Sequence, residues 1–275
     1  MDSKIAIVTG ASSGIGEATA TLLAKSGYTV YGTSRKGTQP GQRAYRMIAM
    51  DVTSEASIEA ALKEVVRVEG RIDLVVNNAG FGIAAGGAEE SSIEQSRMLF
   101  DTNFFGVVRV IRAVVPYMRK QGQGRIINIG SILGLIPAPY MASYAATKHA
   151  LEGYSESLDH ELRTWGIRVT VIEPAYTKTN FEANAPAVDA QIEEYAVARK
   201  ALATILKTAI EHGDDPAVVA EVVLKAANAK QPKLRYPAGK LACRLSLLRR
   251  FAPAALVDKG IRQEMRLDVL DKIVT

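Results

Sequence analysis

Cysteine is almost missing. Cys243 is the only one in 275 residues, which excludes a disulfide scaffold and any cysteine-built zinc or iron–sulfur centre. So little cysteine suits a reducing, cytoplasmic setting. Histidine is scarce too. His149, His160 and His212 are the full set, so no metal site is expected. Long apolar runs are lacking. The first, residues 5–8, is too short for a signal-peptide core and runs straight into Thr9-Gly10. Residues 126–147 carry no formal charge over 22 positions, long enough to cross a bilayer. That stretch nevertheless holds Asn128, Gly130, Ser131, Gly134, Pro137, Pro139 and Ser143, which break a helix and would free backbone groups in lipid. It reads as strand, loop and helix start. Charge of one sign is not in large excess: 34 Lys and Arg face 29 Asp and Glu, a net +5. With 48% apolar residues the chain is not disordered. The mild basic balance suits an anionic ligand. No nucleic-acid-binding motif is present. There is no internal repeat, low-complexity tract or Pro/Ser linker, so one domain is expected.

What is present is a rhythm. Short β-branched runs at 4–9, 28–34, 46–50, 72–77, 125–130 and 167–173 alternate with helical patterns at 14–26, 54–69, 93–119 and 142–165. The 93–119 stretch reads as one long helix or two. The strands are apolar on both faces, as in a parallel sheet covered on both sides. This predicts a doubly wound α/β fold. After Pro174 the rhythm changes. Residues 175–215 have helical patterns without a strong strand, 216–229 reads as a helix, and 234–236 as a short last strand. Two further helices, 239–251 and 254–270, are separated at Pro253. Open α/β sheets bind ligands outside the carboxyl ends of their strands, so 175–215 is placed to be a substrate lid, and 239–275 is a C-terminal helical extension.

The first strand runs into Thr9-Gly10-Ala11-Ser12-Ser13-Gly14-Ile15-Gly16 and then a helix. Glycines let the backbone approach a ligand, and a helix N-terminus offers free N–H groups and positive dipole to a phosphate. The spacing G-x-x-x-G-x-G is neither G-x-G-x-x-G nor a P-loop. An ordinary glycine-rich turn is the alternative. At the end of the second strand stands Tyr31-Gly32-Thr33-Ser34-Arg35-Lys36, with no acidic residue before Asp51. A free ribose hydroxyl wants an acid there and a 2′-phosphate wants arginine. Arg35, with Lys36 as a second charge, therefore favours NADP(H) over NAD(H).

Tyr144-Ala145-Ala146-Thr147-Lys148 sets a phenol and an ammonium four apart on one helical face. A neighbouring ammonium is expected to lower the phenol pKa toward neutrality, fitting Tyr144 to give a proton to a carbonyl or take one from an alcohol. Ser131, at a strand end a short loop earlier, is positioned to bond the same oxygen. A second copy of the spacing, Tyr236 with Lys240, encloses Pro237 and Gly239 and reads as a decoy. Gly130-Ser131 lacks the glycine two residues before the serine that a hydrolase nucleophile elbow requires.

Taken together these motifs resemble the classical short-chain dehydrogenase/reductase family over roughly residues 3–230. The family's T-G-x-x-x-G-x-G matches 9–16, its N-N-A-G matches Asn77-Asn78-Ala79-Gly80, its catalytic Asn matches Asn103, and its Ser and Y-x-x-x-K match Ser131, Tyr144 and Lys148. One departure is local: Pro174 is followed by Ala175 where the family has glycine, with Thr177 and Thr179 close behind. The resemblance implies a single Rossmann-type domain that transfers hydride between nicotinamide and a carbonyl or secondary alcohol. Tyr144 is then the acid/base, Lys148 also holds the nicotinamide ribose, Ser131 stabilises the substrate oxygen, and Asn103 belongs to a proton relay. Asp51 and Val52 would flank the adenine. The cofactor cleft would be lined by Gly10, Ser12, Ser13, Gly14, Ile15, Gly16, Asn77, Ala79, Gly80, Pro174, Thr177 and Thr179. The branch resembled, that of hydroxysteroid and retinol dehydrogenases, implies a bulky apolar substrate, with Met141 as a pocket wall. A homodimer or homotetramer through the helices near 93–119 and 142–165 is also implied. The rival reading is a nucleotide-sensing binding protein on the same fold without catalysis.

The tail adds one feature. Residues 230–250 hold seven basic residues and no acidic one, and Leu241, Leu245 and Leu248 form a helical stripe. Such a helix closes an apolar cleft or lies on an anionic membrane surface. The lid is the preferred expectation, with peripheral membrane contact through 239–251 as its alternative.

Overall fold

The computed structural model describes residues 3–37 and 43–267. Seven strands, β1 (Ile5–Val8), β2 (Thr29–Ser34), β3 (Arg46–Ala49), β4 (Leu74–Asn77), β5 (Gly124–Ile129), β6 (Ile167–Pro174) and β7 (Arg235–Ala238), form one sheet in the order β3-β2-β1-β4-β5-β6-β7. All six pairings are parallel. The strand order reverses between β1 and β4, and that switch point is where a doubly wound sheet opens a ligand crevice. The result is a single Rossmann-type domain.

Strand side chains alternate between the two faces. Ile7, Val75, Ile126 and Val169 belong to one core with α2 (Glu55–Glu69), α4 (Gly106–Gln121) and α5 (Ala142–Leu162). Val8, Val76, Ile127 and Ile172, which point the opposite way from the same strands, belong to the other, with α1 (Gly14–Lys25) and α7 (Pro216–Asn228). The period of two along each strand is thus spent on burying both faces. Helix ends carry local signals: Ser54 caps α2 through the Ser57 N–H, and Gly70 ends it in the left-handed conformation. Asp159 on α5 is fully buried and accepts bonds from Arg163, Arg168 and the Val169 N–H, tying the helix to β6.

Most expected elements shift at their ends by a residue or two, while α5 ends at Leu162 and the expected 163–165 is a 3-10 turn. The 93–119 pattern is neither one helix nor two plain ones. It is α3 (Ile93–Phe100), a π-helical turn Asp101–Phe105, and α4. The last strand runs to Ala238 rather than 236. Within 175–215 lies α6 (Ala196–Glu211). The tail forms α8 (Lys240–Phe251) and α9 (Ala254–Glu264). The expected helix to 270 stops early: α9 ends at Glu264, and Met265 and Arg266 form a turn in which Arg266 takes the left-handed conformation (φ +52°). Positions 268–275 of the expected extension lie outside the described residues. Among the described residues no helix is long and apolar enough to cross a membrane. The uncharged stretch 126–147 is the end of β5, a loop with a short 3-10 turn, and the start of α5.

Candidate active site

A cleft of about 1140 Å3 opens at the carboxyl ends of the strands. Its nucleotide half is built on the turn after β1. Gly10 (φ +65°) and Gly14 (φ +56°) hold the left-handed conformation, and a Cβ on Gly10 would stand 2.9 Å from the Ala79 Cα. The turn is pinned by Asn78, whose Nδ2 donates to the carbonyls of Thr9 (2.9 Å) and Gly10 (3.1 Å). In return the Thr9 hydroxyl oxygen accepts the N–H groups of Asn78 and Ala79, both at 2.9 Å. The turn feeds α1, whose N-cap Ser13 makes no side-chain cap bond. By contrast α2, α3 and α7 are capped by Ser54, Ser92 and Asp215. The first-turn amides of α1 are therefore left for a ligand, and a dinucleotide's phosphates fit this cradle of free N–H groups and absent Cβ atoms.

Gly10, Ser12, Ser13, Gly14, Ile15, Arg35, Asp51, Val52, Ala79 and Gly80 all line the cleft, as do Pro174, Thr177 and Thr179 from the far wall. Three expected residues do not. Gly16 faces back under the turn, where a Cβ would stand only 2.3 Å from the Gly10 carbonyl oxygen. Lys36 is exposed beyond the rim. Asn77 corrects the expectation most clearly: it is the last residue of β4, 2% exposed, and its Nδ2 donates to Asn128 Oδ1 at 2.8 Å inside the sheet. Because strand side chains alternate, Asn78 takes the cleft-facing place. The motif N-N-A-G contained that signal.

The other half gathers Ser131, Tyr144, Lys148 and Asn103. Ser131 follows β5 and caps the 3-10 turn Ile132–Gly134, accepting the Leu133 N–H at 3.1 Å. Its hydroxyl hydrogen is left to donate, and the Tyr144 phenol is the group it reaches. Tyr144 and Lys148 sit one turn apart on α5, the ammonium 5.6 Å from the phenol ring centre and donating to the Ile129 carbonyl at 2.9 Å. Asn103 lies in the π-helical turn, and its amide clamps the backbone of Phe81 through both atoms, at 3.0 and 2.8 Å. A single π turn re-aims one side chain of a helix and recurs at functional sites. The decoy pair is apart from all this. Tyr236 is on β7, where its hydroxyl accepts the Lys233 N–H, and Lys240 opens α8.

With this geometry in hand, the chain matches the family described as short chain dehydrogenase across residues 4–189. The protein belongs to the short-chain dehydrogenase family. It is 39% identical to a 3-ketodihydrosphingosine reductase of Bacteroides thetaiotaomicron over 243 residues, covering 88% of this chain and 90% of that protein. It is 41% identical to the uncharacterized oxidoreductase YusZ of Bacillus subtilis over 268 residues, covering 90% and 93%. The structure of a short-chain dehydrogenase from Streptomyces avermitilis superposes with a TM-score of 0.78 at 30% identity, covering 99% of this chain and 98% of that one. Similar solved structures hold nicotinamide dinucleotides, NADH in one reductase from Brucella melitensis and NADP+ in a serine dehydrogenase. The protein is thus an oxidoreductase with a nicotinamide cofactor and a small-molecule substrate.

Electrostatics of this dehydrogenase cleft depart from the sequence expectation. Burial pushes Lys148 down to about 8, with the carboxylate of Glu152 pulling the other way. Burial also raises the Tyr144 phenol, Glu182 adds to the rise, and only Ser131 opposes it. Loss of water outweighs the one opposing influence, the Ser131 hydrogen bond, so the phenol is not brought toward neutrality in this cleft. Behind Lys148 lies a buried charge cluster. Arg235 donates to Glu152 (2.9 Å) and Glu156 (2.8 Å), and Glu173 stands 3.6 Å away with both oxygens lacking hydrogen bonds. Burial raises Glu152 to about 6 and Glu173 to about 8.

The substrate half was less visible in the sequence. Met141 lines it as expected, joined by Tyr176, Glu182, Leu206 and Ile210 from 175–215 and by Leu241, Arg244, Leu245, Val257 and Ile261 from α8 and α9. Ala175 occupies the family's glycine position, and the turn there is held by Asp214, which donates its N–H to the Tyr176 carbonyl and accepts from the Lys178 N–H, each at 2.9 Å.

Proposed function

We propose that the protein is an NADP(H)-dependent reductase of bulky, apolar ketones or aldehydes, able to run in reverse on the matching secondary alcohols. The observation that carries this is the convergence of Ser131, Tyr144, Lys148 and Asn103 with a phosphate cradle in one cleft whose substrate side carries an apolar stretch, Ile136, Met141, Leu206 and Ile261. The nicotinamide, when bound, supplies or accepts the hydride at the carbonyl carbon. Tyr144, held as a neutral phenol, gives its proton to the carbonyl oxygen, and Ser131 donates a hydrogen bond to the same atom. The phenolate so formed is stabilised by the Lys148 ammonium beside it. One N–H of that ammonium is spent on the Ile129 carbonyl, leaving the others for ribose hydroxyls. Asn103 fixes the Phe81 backbone at the cleft's edge and supports the relay that returns the proton.

Arg35 supports NADP(H) over NAD(H). It lines the cleft at the end of β2 and has no hydrogen bond or ion pair among the described residues, so its fork is open to a 2′-phosphate. A relative named as a 3-keto reductase supports the carbonyl direction. Residues 175–215 with α8 and α9 act as the lid over the substrate. Exposed Ile93 (63%), Met98 (58%) and Phe105 (49%) support a homodimer or homotetramer through the α3–α4 side. A cytoplasmic setting belongs to the same reading.

A second role for α8 has its own observation. Leu247 is 60% and Phe251 73% exposed, beside Arg249 and Arg250, which favours peripheral contact with an anionic lipid surface. The decisive experiment for the main reading is consumption of NADPH and NADH with a panel of ketones and aldehydes. Turnover with NADPH preferred is expected. Tight NADPH binding with no turnover on any carbonyl would mean the nucleotide-sensing alternative.

A further inference from the structure

One charged group in the cleft has no task in the reduction just described. Residues 177–182 cross the cleft from end to end. Thr179 lies on the glycine turn, its Cγ2 3.2 Å from where a Cβ on Gly14 would stand. Two residues on, Phe181 packs edge-to-face on Tyr144, with ring centres 5.8 Å apart and planes at 64°. Glu182 follows directly, at the start of a turn closed by the Ala185 N–H on the Glu182 carbonyl at 3.1 Å. Its carboxylate is half-buried and lines the substrate side of the cleft. It has no hydrogen bond or ion pair among the described residues, and burial is the only influence on its pKa, which rises.

The surroundings sharpen the point. Tyr144 and Tyr176 both feel the Glu182 charge, and Tyr176 also feels Glu264 of α9. Among the described residues the basic one on this wall is Arg244 of α8, which is exposed at the rim. A partly dehydrated carboxylate without a partner costs stability. Here it also works against the reaction, because a negative charge near Tyr144 opposes the phenolate that proton donation leaves behind. Such a group is accounted for if its partner arrives with the substrate. The partner of opposite charge is a cation, and the rings of Tyr144, Tyr176 and Phe181 in the same cleft favour a cation further.

We propose that Glu182 is a specificity residue that receives the ammonium of amino ketones, substrates carrying an amine a short distance from the carbonyl and an apolar remainder. This rests on the carbonyl-reductase reading above. The carbonyl lies on Tyr144 and Ser131, the ammonium on Glu182, and the apolar part against Ile136, Met141, Leu206 and Ile261. The amine is a handle and is chemically unchanged. Hydride adds to the carbonyl carbon and the Tyr144 proton to its oxygen, as for any ketone.

The test compares an alkyl amino ketone with its N-acetyl derivative, which keeps the carbonyl and the chain but removes the charge. The parent is expected to prefer the free amine by at least about tenfold in kcat/KM, mostly through KM, the scale of one charge-assisted hydrogen bond. In Glu182→Gln that ratio should collapse toward one. A ratio kept in Glu182→Gln, or no preference in the parent, overturns the inference while leaving carbonyl reduction in place. A parent that reduces neither compound, nor any amine-free ketone, overturns the carbonyl reading instead. Binding then decides on Glu182 by itself, through the Tm shift given by octylammonium against octanol. A larger shift with octylammonium in the parent, lost in Glu182→Gln, supports the site, and equal shifts in the two proteins refute it.

Discussion

The nucleotide half and the substrate half of the cleft are held by different means. On the nucleotide side the walls are strand ends and the first turn of α1, fixed by backbone bonds such as the double grip of Asn78 and Thr9. On the substrate side the walls are side chains from 175–184, α6, α8 and α9. These last two helices each bury one residue, Ala242 and Val257, whereas α4 buries six, Gly106, Val107, Val110, Ile111, Val114 and Met118. Backbone geometry makes a site whose shape depends on a few positions, such as Gly10, Gly14, Asn78 and Thr9. Side chains on lightly anchored helices make one that exchanges its lining at little cost to the fold. The difference separates a fixed chemistry from an adjustable choice of substrate.

The largest expected effect tests the fixed side. Tyr144→Phe removes the proton donor and keeps the ring, so kcat should fall by about 10²–10⁴-fold, with NADPH still binding in a fluorescence titration. Tyr236→Phe, the decoy, should leave kcat unchanged. The reverse pattern would break the assignment.

Next comes cofactor choice. Arg35→Asp should weaken NADPH by about tenfold or more and shift preference to NADH, the scale of losing one charged hydrogen bond and meeting a like charge. Parent kcat/KM higher for NADH than for NADPH would refute the role of Arg35.

The adjustable side is tested by removing residues 239–275. As a lid, this segment should be needed for turnover of apolar carbonyls while NADPH binding survives. The intact protein should then show no salt-sensitive co-sedimentation with phosphatidylglycerol vesicles. Strong co-sedimentation, released by high salt, would favour the lipid-surface role of α8.

The smallest effect concerns the charge cluster whose Glu152 carboxylate acts on Lys148. Glu173 titrates near 8 in the fold and at about 4.3 when unfolded. Between those values the folded protein binds more protons than the unfolded one, so stability falls as pH rises through this window. Tm should drop from pH 6 to pH 8, and Glu173→Gln should flatten that slope. A parent Tm independent of pH in this range would remove the claim.

The order of strands and helices was legible because both faces of this sheet are covered. Each strand is then a short apolar run, and each helix carries its own signals, such as Ser54 before α2 and Gly70 after it. Asn77 was misplaced and Asn78 missed because the motif names neighbours without saying which one the pleat turns toward the cleft. The π turn at Asp101–Phe105 was not read because Phe100, Phe104 and Phe105 keep the stretch apolar through it, and the pattern runs on without a breaking residue.

By itself the sequence determined the doubly wound sheet, the glycine turn, and the Ser131, Tyr144 and Lys148 set, because each is written in residues close together along the chain. Only the tertiary structure decided that burial shifts Tyr144 up and Lys148 down, that Glu182 has no hydrogen bond or ion pair among the described residues, and that α6, α8 and α9 meet over one cleft. Those depend on how much water is excluded and on which distant segments meet. Burial and long-range contact are properties of the packed chain, and no local pattern of residue types encodes them.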